Sequence, residues 1–263
     1  MAANKSWALI TGASSGIGKA LALEFAAKGY SLFLIARNEQ ALGQVAADCS
    51  RHSGIETKTY LVDLADASAL DGLLRTLSAI SLEFEILVNN AGFGLHGGFF
   101  ETDIDKETQL LNVQLAATLK LTKALLPGMM ARKSGRILNV ASVYSFSPVP
   151  YQSVYSACKA FMLSFSESLG EELKGTGVTV TTLCPGTTKT EFRARAGISH
   201  KDGDAGVPAE SVAKLAVRGT LRGKHLIVPG FTNRFFVFMA RHLPVSLVPR
   251  LLRSINKARG VND

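Results

Sequence analysis

Trp7-Ala8-Leu9-Ile10-Thr11-Gly12-Ala13-Ser14-Ser15-Gly16-Ile17-Gly18-Lys19 is the stretch on which the fold turns. Its first five residues are apolar or β-branched and predict a buried strand over 7–11. Gly12, Gly16 and Gly18 predict a tight turn, and the spacing of Leu21 and Phe25 predicts a helix over 16–29. A strand that feeds a glycine turn and a helix N-terminus offers backbone N–H groups and the positive end of a helix dipole to an anion such as a pyrophosphate.

Three other motifs compete for these residues. The G-x-G-x-x-G spacing is not met, because the glycines read G-x-x-x-G-x-G. A P-loop is excluded by Ala13 and Ala20, which stand where it needs Gly and Ser/Thr. Gly12-Ala13-Ser14-Ser15-Gly16 does match the G-x-S-x-G nucleophile elbow, and Asp204 and His225 follow in hydrolase order. That elbow normally follows several strands, whereas one precedes Ser14, so a phosphate-binding turn is favoured. A turn that merely packs helix on strand is the remaining reading of the loop taken alone.

Working outward, further short apolar runs at 32–36, 57–62, 86–90, 136–141, 178–183 and 225–229 predict six more strands. Amphipathic segments near 39–53, 66–80, 105–131, 153–174 and 208–221 predict helices between them. Apolar strands joined by helical crossovers imply an α/β fold, a seven-stranded parallel sheet covered on both faces, with ligands outside the strand C-termini. No linker or repeat divides the first 190 residues, so residues 1–230 are expected to form a single domain and 231–263 a C-terminal extension.

The 263 residues are 47% hydrophobic and 19% charged, which excludes disordered and low-complexity classes. The formal charge of +8 invites a nucleic-acid partner only if it is spread over the molecule. Residues 1–188 carry 15 Lys/Arg against 16 Asp/Glu and residues 189–263 carry 14 against 5, so the first part is −1 and the last quarter +9. Cys49, Cys158 and Cys184 lack metal-ligand or disulfide-framework spacing, which predicts no metal and a reducing compartment. Met1 to Lys5 lead into a short apolar run without signal-peptide features, and Arg241 and Pro244 interrupt the apolar run at 235–240, so the expectation is a cytoplasmic protein without a membrane span.

Two local patterns carry chemistry. The second strand ends Ile35-Ala36-Arg37-Asn38: Ala36 stands where an acidic residue would bind a ribose 2′-hydroxyl, and Arg37 offers a fork to a 2′-phosphate, with Asn38 and Ser14 as helpers. That favours NADP(H). Tyr155 and Lys159 stand at i and i+4, on one helical face, where the ammonium is expected to lower a phenol pKa of about 10 and make an acid/base group. Ser142 ends the strand 136–141, placed to hydrogen-bond a carbonyl. Taken alone, a Tyr-x-x-x-Lys pair is more often a surface contact.

With TGASSGIG at 11–18, VDL at 62–64, NNAG at 89–92, Asn112, Ser142, YSACK at 155–159 and PGTTKT at 185–190 in order, the chain resembles the short-chain dehydrogenase/reductase family over about residues 5–230. The resemblance implies a Rossmann-type doubly wound sheet and hydride transfer between nicotinamide and a carbonyl or carbinol carbon. It implies that Tyr155 moves the proton, Lys159 lowers the Tyr155 pKa and binds the nicotinamide ribose, Ser142 polarises the substrate oxygen, and Asn112 holds a relay water for Lys159. It places Gly12, Ser14, Ser15, Gly16, Ile17, Gly18, Arg37, Asn38, Asp63, Leu64, Asn89, Ala91, Gly92, Pro185, Gly186 and Thr188 on the cofactor, together with Tyr155 and Lys159. Asp63 is expected to accept from the adenine amine.

Phe93, Leu95, His96, Val143, Phe146, Val149, Pro150, Tyr151 and the segment 190–207 surround the expected substrate site and are mostly apolar, which predicts a lipophilic ketone. The ARNE segment at 36–39 and the stretch before Lys159 resemble the branch of 3-oxoacyl and 17β-hydroxysteroid reductases. The implied protein is an NADPH-dependent carbonyl reductase, with oxidation of an alcohol or a non-catalytic cofactor-binding scaffold as rivals, and with family habit a homodimer or homotetramer. The tail interleaves Phe and Leu with Arg234, Arg241, Arg250, Arg253, Lys257 and Arg259 but carries no nucleic-acid motif, so a lid, an oligomer contact or a peripheral membrane contact is expected.

Overall fold

The computed structural model describes residues 6–51, 54–198, 206–244 and 246–260, with side chains as far as Ser254. Met1–Lys5, Asp204 and the part of the segment 190–207 from 199 to 205 lie outside the described residues.

The apolar runs become β1 (Trp7–Thr11), β2 (Ser31–Ala36), β3 (Thr57–Leu61), β4 (Phe84–Asn89), β5 (Gly135–Val140), β6 (Val178–Leu183) and, after a second small sheet, β9 (Leu226–Ile227). They form one seven-stranded sheet in the order β3-β2-β1-β4-β5-β6-β9, every pair parallel. The order reverses between β1 and β4, and a cleft is therefore expected beyond their C-terminal ends.

Burial follows strand alternation. Ala8, Ile10, Leu32 and Leu34 join one core with Leu21 and Phe25 of α1 (Gly16–Ala26), Leu42 of α2 (Glu39–Ser50), and Val212 and Val217 of α8 (Ala209–Leu221). Leu9, Phe33 and Ile35 point the other way, onto Leu70 and Leu73 of α3 (Ala67–Ala79), Leu121 of α5 (Ala117–Ala131) and Leu169 of α6 (Ser153–Glu172). Both faces of the central strands are thus buried, which is why those strands read as continuous apolar runs. The two edge strands differ: neither β3, which carries Thr57, Lys58 and Thr59, nor the short β9 has a fully buried residue.

The segment expected as one helix over 105–131 is three pieces: α4 (Ile104–Leu111), a π-helical turn Asn112–Ala116, and α5. The widened turn is tied to the loops beyond β3 and β4, since Asn112 Nδ2 donates to Ala65 O at 3.2 Å and Gln114 Nε2 to Phe93 O at 3.0 Å. A 3₁₀ turn (Val143–Phe146), a second sheet of β7 (Thr188–Lys189) and β8 (Val207–Pro208), and α7 (Phe192–Arg195) add to the expected elements. The extension folds as two helices, α9 (Phe231–His242) and α10 (Leu247–Gly260).

The glycine turn has no room for side chains. Gly12 has φ +65° and a Cβ there would meet Ala91 Cα at 2.9 Å, while a Cβ on Gly18 would lie 2.1 Å from Gly12 O. Gly18→Ala is accordingly expected to lower unfolding free energy by about 1–3 kcal/mol, read by denaturant titration, because the intruding methyl meets backbone that cannot step aside.

Candidate active site

The C-terminal ends of β1, β2, β4 and β5 open into a cleft of about 920 Å³. Its floor is knotted at the switch point. Thr11 Oγ1 donates to Val88 O at 3.1 Å and accepts from the backbone N–H groups of Asn90 and Ala91, each at 3.0 Å. Asn90 Nδ2 in turn donates to Thr11 O at 2.9 Å and Gly12 O at 3.2 Å, so the second asparagine of NNAG holds the glycine turn in place.

Of the expected cofactor residues, Gly12, Ser14, Ser15, Gly16, Ile17, Gly18, Arg37, Asn38, Asp63, Leu64, Ala91, Gly92, Tyr155, Lys159, Pro185, Gly186 and Thr188 line this cleft. Asn89 does not. It is buried beneath, donating to Asn139 Oδ1 at 2.9 Å and Thr122 Oγ1 at 3.3 Å, where it braces β4 against β5 and α5. At the far end, Arg37 Nη1 lies 3.3 Å from Asp63 Oδ2, and Asp63 Oδ1 accepts from Ala65 N at 2.9 Å. Asn38 caps α2 through Ala41 N. No carboxylate stands at 36, so a phosphate reaching this rim meets a guanidinium and the N-terminus of a helix. The turn too narrow for a Cβ and this cationic rim fit a dinucleotide carrying a 2′-phosphate.

At the opposite end, β5 and α6 bring three groups together. Ser142 follows β5 and caps the 3₁₀ turn, its Oγ accepting from Tyr144 N at 3.2 Å, which leaves its O–H to donate elsewhere. Tyr155 and Lys159, one turn apart on α6, are 8% and 5% exposed, and Lys159 Nζ lies 5.5 Å from the centre of the Tyr155 ring. Lys159 Nζ donates to Val140 O at 2.9 Å. Burial pulls the Lys159 amine down to about 8. The expected depression of Tyr155 is reversed in this setting: burial pushes its phenol well above the usual value, and the hydrogen bond with Ser142 opposes that rise. Desolvation of the phenolate outweighs that hydrogen bond.

Asn112 is not among the cleft residues; its Nδ2 donates to Ala65 O while its neighbour Val113 faces the cleft. Among the expected substrate residues, Phe93, His96 and Val143 line the cleft. Leu95 packs behind with Tyr155, Phe146 lies under Arg241, and Val149 packs on α10. Tyr151, at φ +65°, stacks on His96 with ring centres 6.2 Å apart. His225 precedes β9, at the N-terminal end of a strand at the sheet edge, so the hydrolase arrangement with Ser14 is not formed.

Of the expected segment 190–207, Thr190, Glu191, Phe192, Arg193, Arg195 and Ile198 line the cleft, though beyond Thr190 no motif singled any of them out. Phe192 sits 5.8 Å from the Tyr155 ring, and Arg195 Nη1 reaches Ser15 Oγ at 3.4 Å while pairing with Glu191, so α7 crosses the mouth above the glycine turn. Phe236 and Leu252 bring the extension into the wall. The apolar spacing of the tail was their one signal, and it does not tell which face turns inward.

This site, a cleft at the switch point of a parallel sheet with a buried Ser, Tyr and Lys at one end, defines a dinucleotide-dependent α/β enzyme. The short chain dehydrogenase family model matches residues 6–200, and the chain belongs to that family. It is 38% identical over 179 residues to a very-long-chain 3-oxoacyl-CoA reductase of Laccaria bicolor, covering 66% of this chain and 52% of the relative, so the chain spans about half that relative's length. A very-long-chain 3-oxoacyl-CoA reductase of Anas platyrhynchos is 33% identical over 256 residues, 96% of this chain and 80% of the relative. Among solved structures, a short-chain dehydrogenase from Sphingobium yanoikuyae in complex with NADPH matches with a TM-score of 0.81 at 30% identity, covering 98% of this chain and 99% of that one.

Because Lys159 falls from 10.5 to about 8 on folding, the folded chain sheds a proton that the unfolded chain keeps between those values. Stability relative to Lys159→Met is expected to rise as pH increases from about 8 toward 10.5, as measured by paired denaturant titrations.

Proposed function

We propose that the protein is an NADPH-dependent reductase that converts a lipophilic ketone, a 3-oxoacyl thioester or a steroid-like ketone, into a secondary alcohol. The observation that carries this reading is the convergence of Ser142, Tyr155 and Lys159 at one buried end of a cleft whose other end presents Arg37. The names of the relatives favour the 3-oxoacyl substrate, and the NADPH complex of the solved neighbour favours the cofactor.

When bound, the nicotinamide supplies the hydride; the chain's own groups manage the oxygen. The Ser142 hydroxyl donates to the substrate oxygen and fixes its position. Tyr155, held protonated by burial, gives its proton to that oxygen as charge develops there. Lys159 stabilises the phenolate left behind and holds the ribose. Asn112, at the π turn, belongs to this reading as the holder of a relay water that restores the proton through Lys159. Phe192 and α7 exclude bulk water from this end. An intact Ser, Tyr and Lys set argues against a purely cofactor-binding scaffold.

The reading carries a cytoplasmic enzyme that forms a homodimer or homotetramer through α4, α5 and α6, where Leu111, Met130 and Phe161 are exposed. Tyr155→Phe should abolish NADPH oxidation with a panel of lipophilic ketones while NADPH binding, read by fluorescence, changes less than about threefold. Undiminished turnover overturns the role of Tyr155. The double variant Ala36→Asp, Arg37→Gln should shift the ratio of NADPH to NADH affinity toward NADH by about a hundredfold, the combined effect of losing a charge-assisted pair and gaining a repulsive carboxylate. An unchanged ratio removes Arg37 from the 2′-phosphate.

A further inference from the structure

The two helices of the extension have unlike faces. Inward, Phe236 and Leu243 pack with Val149, Val248 and Leu252 into one small core, and Val237 is buried. Outward, Phe231 is 83% exposed, Phe235 57% and Phe238 55%, standing at i, i+4 and i+7 on α9. Leu247 and Leu251, at i and i+4 on α10, are also exposed. Large apolar side chains grouped in this way on consecutive helices mark a contact surface rather than scattered exposure.

The charge around them has one sign. From Ser211 to Asn262 the chain has no Asp or Glu, and Arg234, Arg250 and Arg253 are exposed beside the apolar residues. Arg241, though exposed, is engaged by the rest of the chain, over the Phe146 ring at 4.8 Å and 3.6 Å from Glu167. A second copy of this face would bring arginines against arginines with no carboxylate to meet them, since a twofold contact pairs like surfaces. A surface that is anionic outside and apolar just beneath meets both requirements, because arginines reach its phosphates while aromatic rings enter below.

We propose that the outer face of α9 and α10 docks on the surface of an anionic lipid bilayer. The same helices wall the cleft with Phe236 and Leu252, so docking sets the cleft rim at the lipid surface, where a lipophilic ketone is concentrated. That last clause rests on the substrate reading given above; the docking itself does not.

The test uses the full chain and sedimentation with vesicles of phosphatidylcholine alone or mixed with phosphatidylserine, at low and high salt. Partitioning onto the mixed vesicles is expected to be about tenfold or more tighter than onto phosphatidylcholine alone, and to weaken with salt. The triple variant Phe231→Ser, Phe235→Ser, Phe238→Ser should lose about tenfold or more in partitioning. Arg250→Gln and Arg253→Gln should each lose about fivefold on the mixed vesicles. None of these side chains lines the cleft, so melting temperature and NADPH binding should stay at the wild-type level; a triple variant that fails this control is replaced by the single variants Phe231→Ser and Phe235→Ser, each of which must still weaken partitioning. Wild-type partitioning by the phenylalanine variants, or equal binding to both vesicle types, overturns the proposal. So does a change from dimer to monomer with vesicle binding unaltered, which gives the face to a second copy. Reduction of a water-soluble ketone, assayed in parallel without vesicles, reports on the catalytic reading alone.

Discussion

Thr11 and Asn90 lash the carboxyl ends of β1 and β4 together at the one place in the sheet where the strand order reverses. Two parallel strands diverge there, because their crossovers leave in opposite directions, and the backbone polar groups they expose need partners. A threonine hydroxyl and an asparagine amide supply five of them, and in doing so they set the carbonyls of Thr11 and Gly12 against which the glycine turn closes. The absence of side chains at Gly12 and Gly18 follows from that closure, and so does the path of α1 away from the cleft. Everything at the phosphate end rests on this knot.

At the chemical end the governing quantity is burial. Tyr155 and Lys159 both sit below a tenth exposed, and the low polarity that raises the phenol also lowers the amine. The two shifts bring the proton affinities of donor and neighbour in opposite directions, with the amine reaching a value near 8, where a small change in surroundings alters its charge. The hydroxyl of Ser142, on the cleft wall, is held in place by the bond it accepts from Tyr144 N.

Much of this was legible in the residues. Five of the seven strands follow from apolar runs separated by helical spacing, because residues buried on both faces leave a near-continuous apolar signature, whereas the edge strands β3 and β9 are read from their β-branched and apolar residues and their place in the alternation. Gly12, Gly18, Arg37, Ser142, Tyr155 and Lys159 are legible because each answers a local requirement: no room for a Cβ, a basic residue after a strand that ends without a carboxylate at 36, or a strand end beside a helix. What was not legible depends on contacts distant in sequence. The π turn at Asn112 is tied to Ala65 and Phe93, Asn89 braces against Asn139, and the inward face of the tail packs on Val149. The direction of the Tyr155 shift likewise depends on its burial in the folded chain, not on the spacing of Tyr and Lys.

The proposed reaction is direct delivery of hydrogen from a nicotinamide to a carbonyl carbon beside Tyr155. Incubating the protein with NADPH carrying deuterium at nicotinamide C4 and a medium-chain 3-oxoacyl thioester, then reading the product by mass spectrometry, tests that most directly. The account predicts a 3-hydroxyacyl product bearing one deuterium on the carbinol carbon when the label is on one of the two C4 faces, and none when it is on the other. A reduced product that takes its carbinol hydrogen from water, with label retained in the cofactor from both faces, would contradict it.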